Sequence, residues 1–334
     1  MATVLERLNH ALYQALESDG RVYLLGEDIL DPYGGAFKVT RGLSTKFPDR
    51  VLTTPISEAA ITGVASGMAL RGLRPVVEIM FGDFVTLIAD QLINHAAKFR
   101  WMYNDQVRVP MVVRAPMGGR RGYGPTHSQS IEKLFLGIPG LKVLAPNTLA
   151  DPAALLTAAI TDDDPVLFVE HKLLYVLPLQ EPGKGDLIDF QLEQSGSDIP
   201  VSTLRFSDRT DLTIACYGYN FELARKAALN LLYEHEIYAD LVVFSQLSPF
   251  DITALLPSLS RSRKLLTVEE GSLSLGWGAE IAARVAERGI PGLTICRVAA
   301  LDLPIANSRV LEEVILPSIQ DIVKSALEMA GRKL

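Results

Sequence analysis

The sequence predicts an α/β protein with two doubly wound domains, each built around a mostly parallel β-sheet. Short apolar runs typical of buried strands alternate with segments of helical periodicity along most of the 334 residues. The alternation stops over residues 176–208, where Pro, Gly, Asp and Ser dominate and periodicity fades. A chain of this length is also expected to form two domains. We therefore predict a first domain over residues 1–178, a linker over 179–208 and a second domain over 209–334.

The first domain is predicted to open with a helix over residues 3–18, because Val4, Leu8 and Leu12 recur on one face. The next apolar run, VYLLGED, is a strand whose end carries acidic residues, and such groups at the carboxyl end of a buried parallel strand often face a site. Strands are predicted from apolar runs at residues 22–28, 50–55, 74–80, 109–116, 142–146 and 165–171. Helices are predicted between them at residues 38–47, 57–71, 84–104, 131–137 and 150–161.

The second domain repeats the alternation of strands and helices. Strands are predicted at residues 211–218, 238–249, 264–270 and 293–299. Helices are predicted at residues 220–235, 251–259, 276–288 and 318–330. Neither half carries a Walker loop or a GxGxxG turn after its first strand, and the chain has no GxSxG elbow, so the corresponding nucleotide-binding and hydrolase classes are unsupported.

Composition and charge argue against a nucleic-acid-binding, membrane-spanning or secreted protein. A net charge of −7 and a pI of about 5.4 argue against a nucleic-acid surface. Apolar runs fall short of the roughly 18 residues of a membrane span, and the first residues form an amphipathic pattern unlike a signal peptide. Cys216 and Cys296 lie in apolar strand-like runs, which indicates reduced core thiols and a cytoplasmic protein.

The segment TTPISEAAITGVASG, residues 53–67, is the strongest candidate for a functional element. Pro55 and Ser57 supply a breaker and a capping-type residue before a helix that starts near Glu58. An isolated glutamate there is more often a solvated part of a first helical turn. The small residues that follow, including Gly63 and Gly67, predict a helix whose backbone another chain segment can approach closely, with a carboxylate at its end.

Three further clusters are candidates. Met80 and Phe84 follow a strand and could form the wall of a flat-ring pocket, although taken alone they indicate core packing. His127 lies in the glycine-rich loop MGGRRGYGPTHSQS after a strand, which favours a catalytic role over a structural hydrogen bond. The run DDDP ends a helix, so its carboxylates and the free helix carbonyls form either a hard-cation site or a solvated acidic turn.

These segments together resemble the beta subunit of the thiamine-diphosphate-dependent, decarboxylating component of 2-oxo acid dehydrogenase complexes. The matching stretches include GEDI, TPISEAAITG, VVEIMFGDF, DQLINHAAK, THSQS, PGLKVLAP and DDDPVLFVEHKLLY. The resemblance spans the whole chain and implies a transketolase-like pyrimidine domain followed by a transketolase C-terminal-like domain. It implies an enzyme subunit for oxidative decarboxylation of a 2-oxo acid with acyl transfer to a lipoyl carrier.

The resemblance also implies roles for individual residues. Glu58 matches the glutamate that hydrogen-bonds the aminopyrimidine ring of thiamine diphosphate, Phe84 matches the aromatic that stacks on that ring, and Ile56 and Met80 would line it. His127 matches a histidine that faces the reacting carbon. A structural potassium site is implied for the carbonyls of Met111, Ala159, Ile160 and Asp162, together with Asp164.

The resemblance implies a partner chain as well. Relatives hold the magnesium-bound diphosphate with a GDG motif, which this sequence lacks, so an alpha subunit would share the cofactor in a heterotetramer of two alpha and two beta chains. A lipoyl acyltransferase core is a further expected partner. Alternatives that remain open are an acetoin- or branched-chain-type subunit, a pathway-specific carboligase or acyl-transfer paralogue, and a non-catalytic assembly subunit.

Overall fold

A computed structural model describes residues 2–195 and 198–332, whose strands form two mixed sheets. The first part of the chain forms α1 (Val4–Ser18), β1 (Val22–Gly26), α2 (Leu43–Lys46), β2 (Val51–Thr53), α3 (Glu58–Leu70), β3 (Arg74–Glu78), α4 (Ala97–Met102), β4 (Val112–Met117), β5 (Lys142–Leu144), α5 (Pro152–Thr161) and β6 (Val166–His171). The second part forms β7 (Gln191–Gln194), β8 (Val201–Arg205), β9 (Leu212–Tyr217), α6 (Asn220–His235), β10 (Ala239–Phe244), β11 (Gln246–Ser248), α7 (Leu256–Ser262), β12 (Lys264–Ser272), α8 (Trp277–Ala286), β13 (Thr294–Ala300), α9 (Arg309–Ile315) and α10 (Ile319–Met329).

Local sequence signals explain where several helices begin. Thr3 and Glu6 form a capping box that starts α1, whose buried face is the one predicted from the sequence. Ser318 and Asp321 form the same box at α10. Asp151 caps α5, which has Pro152 at its first position, where a missing N–H costs nothing.

The sheets have the topology expected of doubly wound domains. The first has the order β11-β5-β6-β4-β3-β1-β2 and is parallel except for β11. The second has the order β13-β12-β9-β10-β8-β7, in which β8 is antiparallel to both of its neighbours, β10 and β7, and the other pairs are parallel. The central parallel strands β4, β6, β9 and β10 are buried on both faces and read as mostly apolar runs, whereas β2 and β13 are partly exposed. The carboxyl ends of the parallel strands of the first sheet meet at one edge, where Glu58 follows β2, Met80 and Phe84 follow β3, and His127 follows β4.

The region predicted as a linker, residues 179–208, contains two strands of the second sheet. β7 and β8 form an antiparallel hairpin that extends the sheet beyond β10. Only the middle of β8 is buried, and β7 is an exposed edge strand. Edge strands need no apolar alternation, which is why periodicity fades here.

Several other elements differ from the predicted ones. Helix α9 lies within residues 300–317, where no element was predicted, and the helix predicted at residues 131–137 is only a 3₁₀ turn. The helix predicted at residues 84–104 is a 3₁₀ helix (Gly82–Ile88), then a π-helix (Gln91–Ala96), then α4. The strand predicted at residues 238–249 divides, because β10 belongs to the second sheet while β11 pairs with β5 of the first. Shorter 3₁₀ turns occur at Glu132–Phe135, Leu174–Val176, Gly185–Leu187 and Thr253–Leu255. β11 therefore ties the two sheets together.

Candidate active site

Glu58 is the first residue of α3, and its side chain is buried, with 7% of the residue exposed. The unpaired N–H groups of a helix start favour a negative charge at this position. Glu27 directly follows β1, and its carboxylate is close enough to Glu58 for the two charges to interact. Burial, followed by the negative charge of Glu58, raises the pKa of Glu27. Two buried carboxylates therefore meet at the end of this helix.

One Glu27 oxygen, Oε1, is fully buried and has no hydrogen-bond partner among the described residues. A buried acceptor without a donor is costly in a finished core. A bound group that donates a hydrogen bond at this end of α3 would satisfy it. Glu27 is thus a site residue that the sequence analysis did not assign, although the acidic end of the VYLLGED strand was its signal.

An aromatic wall adjoins this helix end. Phe84 lies in the 3₁₀ helix Gly82–Ile88, which packs against α3. Its ring is 5.3 Å from the His127 ring and 5.8 Å from the Phe81 ring, centroid to centroid, with edge-to-face geometry. Met80 is half-buried beside Phe81, whereas Ile56 is 82% exposed on this chain. The structure therefore brings Phe84 and His127 into contact and leaves Ile56 facing outward.

His127 lies in the histidine loop, which we define as residues 118–130, between β4 and the 3₁₀ turn Glu132–Phe135. Its ring packs edge-on against Phe81 at 4.7 Å, and Nδ1 lies 3.0 Å from the Thr126 hydroxyl. The next turn is held by Asp83, whose Oδ1 accepts from the Gln129 side chain at 2.8 Å. The imidazole is half-buried and packs against two phenylalanine rings that also contact each other.

Lys172 lies under the histidine loop and was not among the predicted site residues. Its ammonium donates to the His127 carbonyl and lies over the rings of Phe81, at 5.4 Å, and Tyr123, at 5.7 Å. Burial lowers the pKa of this lysine to about 8, against the opposing effect of Asp83. The sequence signal that could have identified Lys172 is its position as a charged residue directly after a buried strand.

An ion-pair network lies behind these residues. The Arg114 guanidinium on β4 makes two hydrogen bonds to Glu170, at 2.7 and 2.8 Å, and one to Glu78, at 2.8 Å. All three side chains are buried, and burial raises the pKa of Glu78 despite the nearby arginine. Because removing one partner would leave an uncompensated buried charge, this network fixes the spacing of β3, β4 and β6 beneath the site.

The acidic turn after α5 is paired with basic side chains. Each of its three aspartates contacts a cation, namely Asp162 with Lys142, Asp163 with Arg74 and Asp164 with Arg100. Arg74 also donates to the carbonyls of Ile160 and Asp162, at 2.9 and 2.8 Å. The Met111 carbonyl accepts from the Val166 N–H at 2.9 Å. The turn thus has no spare carboxylate charge for a divalent ion, but a carbonyl has a second lone pair.

Among residues 2–195 and 198–332, no three His, Cys, Asp or Glu side chains are grouped so as to hold a metal ion. Within the same residues, no helix is both long and apolar enough to cross a membrane. The described part of the chain therefore contributes carboxylates, aromatic rings and a histidine to this site, and no cluster of metal-binding side chains.

Residues 1–178 match the family model for the transketolase pyrimidine binding domain, and residues 203–322 match that for the transketolase C-terminal domain. The chain is 38% identical over 328 residues to the mitochondrial pyruvate dehydrogenase E1 component subunit beta-2 of Oryza sativa subsp. japonica, with 97% of this chain and 85% of the relative covered. The chain belongs to the E1 beta-subunit family of 2-oxo acid dehydrogenases. The resemblance found in the sequence is confirmed.

Other relatives agree with this family. The acetoin:2,6-dichlorophenolindophenol oxidoreductase subunit beta of Cupriavidus necator is 37% identical over 338 residues, with 98% of this chain and 97% of the relative covered. A solved split-gene transketolase, an inactive beta4 tetramer, aligns over 100% of both chains with a TM-score of 0.76 and 20% identity. That structural likeness confirms the predicted fold of two transketolase-like α/β domains.

Proposed function

We propose that this E1 beta subunit holds the aminopyrimidine half of thiamine diphosphate and takes part in oxidative decarboxylation of a 2-oxo acid. The observation that carries the proposal is the buried Glu58 at the start of α3, beside an aromatic wall that contains Phe84 and His127. When bound, thiamine diphosphate supplies a nucleophilic carbon that adds to the 2-oxo group and accepts the electron pair released with carbon dioxide.

The side chains of this chain have separate tasks in the proposal. The Glu58 carboxylate would hold the pyrimidine ring nitrogen and share a proton with it, and Phe84 would pack against the ring. The unpaired Glu27 oxygen supports the fit, because it is an acceptor that a bound donor would satisfy. Met80 and Ile56 would line the ring. His127 would orient the substrate at the reacting carbon, and its packing against two phenylalanine rings favours that task.

The diphosphate end of the cofactor is assigned to an alpha subunit. This sequence has no GDG motif, and no metal-binding cluster exists in the part of the chain that the structure describes. The outward face of α3 also suits a partner, since Gly63 and Gly67 are exposed with open space above them, and Val64 is 58% exposed. We therefore propose a heterotetramer of two alpha and two beta chains, with a lipoyl acyltransferase core as the acyl acceptor.

A potassium ion at the turn after α5 is part of the proposal. Its ligands would be the carbonyls of Met111, Ala159, Ile160 and Asp162, together with Asp164. The balanced charges of the turn favour a monovalent over a divalent ion, because each aspartate is already paired. Such an ion would share the Ile160 and Asp162 carbonyls with Arg74.

Pyruvate is the proposed substrate, with acetoin as the second candidate, because relatives named for each have nearly the same sequence identity to this chain.

The proposed compartment is the cytoplasm, because the two free thiols, Cys216 and Cys296, suit a reducing environment. The rice relative is named as mitochondrial. Subcellular fractionation of the source cells distinguishes the two compartments.

Co-purification with the alpha partner tests the proposed function. The complex, loaded with thiamine diphosphate and Mg²⁺, is assayed with pyruvate, acetoin and branched-chain 2-oxo acids and an artificial electron acceptor. We expect turnover of one of these substrates that requires both chains and the cofactor. Absence of turnover with every substrate in a complex that binds the cofactor would contradict the enzymatic role and favour an assembly subunit.

A further inference from the structure

Two buried carboxylates of the second domain accept hydrogen bonds from the histidine loop. Glu312 on α9 accepts from the backbone N–H groups of Arg120, at 2.6 Å, and Gly122, at 3.1 Å. Glu270 on β12 accepts from the Gly119 N–H at 2.8 Å. Glu312 and Glu270 are 1% and 3% exposed. Three backbone N–H groups of the loop, those of residues 119, 120 and 122, are thus hydrogen-bonded to the second domain.

The contact is close as well as polar. A Cβ atom on Gly119 would lie 2.6 Å from Leu316 Cδ1 and 3.0 Å from Glu312 Oε1. The Arg120 side chain crosses the same boundary, donating to the Pro317 carbonyl at 2.6 Å and to Glu270 at 3.2 Å. The loop and the second domain therefore approach each other with no room for a side chain at position 119.

The histidine loop contains strained backbone at this contact. Arg120 has a φ of 68°, a left-handed conformation that costs free energy for a residue with a Cβ. Such a conformation persists where the surrounding contacts over-determine it. At Arg120 those contacts are Glu312, Glu270 and Pro317, all of which belong to the second domain.

The charge of Glu270 is maintained within this contact. Burial opposes its ionisation, but His171, Arg120 and the Gly119 N–H outweigh that effect, so the pKa of Glu270 is held below its ordinary value. The His171 Nε2 lies 3.1 Å from its carboxylate, and the ring stacks on Tyr219 of the second domain. An ionised acceptor makes stronger hydrogen bonds to N–H groups than a neutral one.

We propose that Glu312 is a positioning residue for the reaction, which holds the histidine loop so that His127 faces the reacting carbon. The inference rests on the proposed role of His127. The second domain then contributes directly to the geometry of the site. Removal of the Glu312 carboxylate frees two backbone N–H groups of the loop and lets the strained Arg120 relax. The side chains proposed to hold the cofactor, Glu58 and Phe84, lie on other elements and keep their positions.

The chain offers a matched pair of variants. Glu312→Ala removes the buried carboxylate, whereas Glu313→Ala removes the neighbouring one, which is exposed and pairs with Arg309 on the same helix. Glu312→Gln retains one acceptor oxygen and serves as the conservative rescue. Gly119→Ala disturbs the same contact from the loop side with every carboxylate present, so the test does not depend on one variant folding.

Hydrogen exchange and kinetics on the co-purified complex test the proposal. In Glu312→Ala and Gly119→Ala we expect exchange of the amides in residues 118–130 to rise about 10-fold or more. We expect kcat to fall roughly 10- to 100-fold while the affinity for thiamine diphosphate changes less than about 2-fold. Glu312→Gln should lie between Glu312→Ala and the wild type, and Glu313→Ala should match the wild type.

Two results would overturn the proposal. One is unchanged exchange of residues 118–130 in Glu312→Ala, and the other is faster exchange with an unchanged kcat. Failure of the proposed function gives a different result, since the wild-type complex would then turn over none of the 2-oxo acids while the exchange difference between Glu312→Ala and Glu313→Ala remained.

Discussion

At the scale of single residues, the candidate site contains several polar side chains that are buried or half-buried. Some of them could be identified from the sequence, and others could not. Glu58 and His127 could be singled out because each follows a strand and begins or occupies a recognisable local pattern. Glu27 and Lys172 could not be assigned, because their environments are made by elements distant in sequence: α3 beside Glu27, and the histidine loop above Lys172. Local pattern shows which residues end strands, but tertiary packing determines which of them are desolvated.

Glu58→Gln tests the proposed proton-sharing role. Glutamine keeps the size of the buried side chain but is a far weaker proton acceptor, so we expect kcat to fall at least about 100-fold. The measurement is steady-state turnover of the co-purified complex with saturating thiamine diphosphate. Glu313→Gln, on the exposed face of α9, is the control and should retain wild-type turnover. Full activity in Glu58→Gln would contradict the role assigned to this carboxylate.

Lys172→Met tests the burial of the lysine through the pH dependence of stability. Its folded pKa of about 8 lies below the ordinary 10.5, so the buried charge costs stability below pH 8, and the cost disappears as pH rises towards 10.5. We therefore expect the Tm of the variant minus that of the wild type to decrease between about pH 8 and about pH 10. Thermal unfolding measures this difference.

Lys226→Met is the control for this experiment, because Lys226 is exposed on α6. Its Tm difference from the wild type should stay constant over the same interval. A Lys172→Met difference that is equally flat with pH would show that the lysine is not desolvated as the structure indicates.

At the scale of elements, regular segments were predictable and polar edges were not. α6 and the parallel strands follow the sequence pattern closely, since burial on both faces gives continuous apolar runs. β7 and β8 were missed because an exposed hairpin needs no such run. The helix after β3 was predicted as regular, yet its hydrogen-bond pattern changes from 3₁₀ to π to α, which hydrophobic periodicity does not encode.

The turn after α5 carries a prediction of its own. If its carbonyls bind potassium, replacing K⁺ with choline at equal ionic strength should lower the Tm of the complex by a few degrees, because a ligand that binds only the folded state stabilises it. Thermal unfolding over a K⁺ titration measures the shift. An identical Tm in both salts would mean that Arg74, Lys142 and Arg100 alone balance this turn.

At the scale of the whole molecule, the two domains are joined more closely than a linker implies. After β10 of the second sheet, the chain continues into β11, which pairs with β5 of the first sheet, and Glu312 and Glu270 bond to the histidine loop. Neither connection was predictable, because the pairing partner of a three-residue strand and the target of a buried carboxylate are set by tertiary packing. The two-sheet architecture was predictable from alternation and length alone.

Under the proposed function, this chain provides only part of the cofactor site. The α3 helix end, the aromatic wall and the histidine loop would hold one ring and the substrate, while the sequence contains no GDG motif for the diphosphate. The proposed activity therefore requires two polypeptides.

Calorimetric titration of thiamine diphosphate, with Mg²⁺ present, tests this claim most directly. It is performed on the purified chain alone and on the same chain co-purified with its alpha partner. We predict binding at least about 100-fold tighter to the complex, and loss of most of that gain in the complex of Glu58→Ala. Equally tight binding to the chain alone, or an unchanged affinity in Glu58→Ala, would contradict the account.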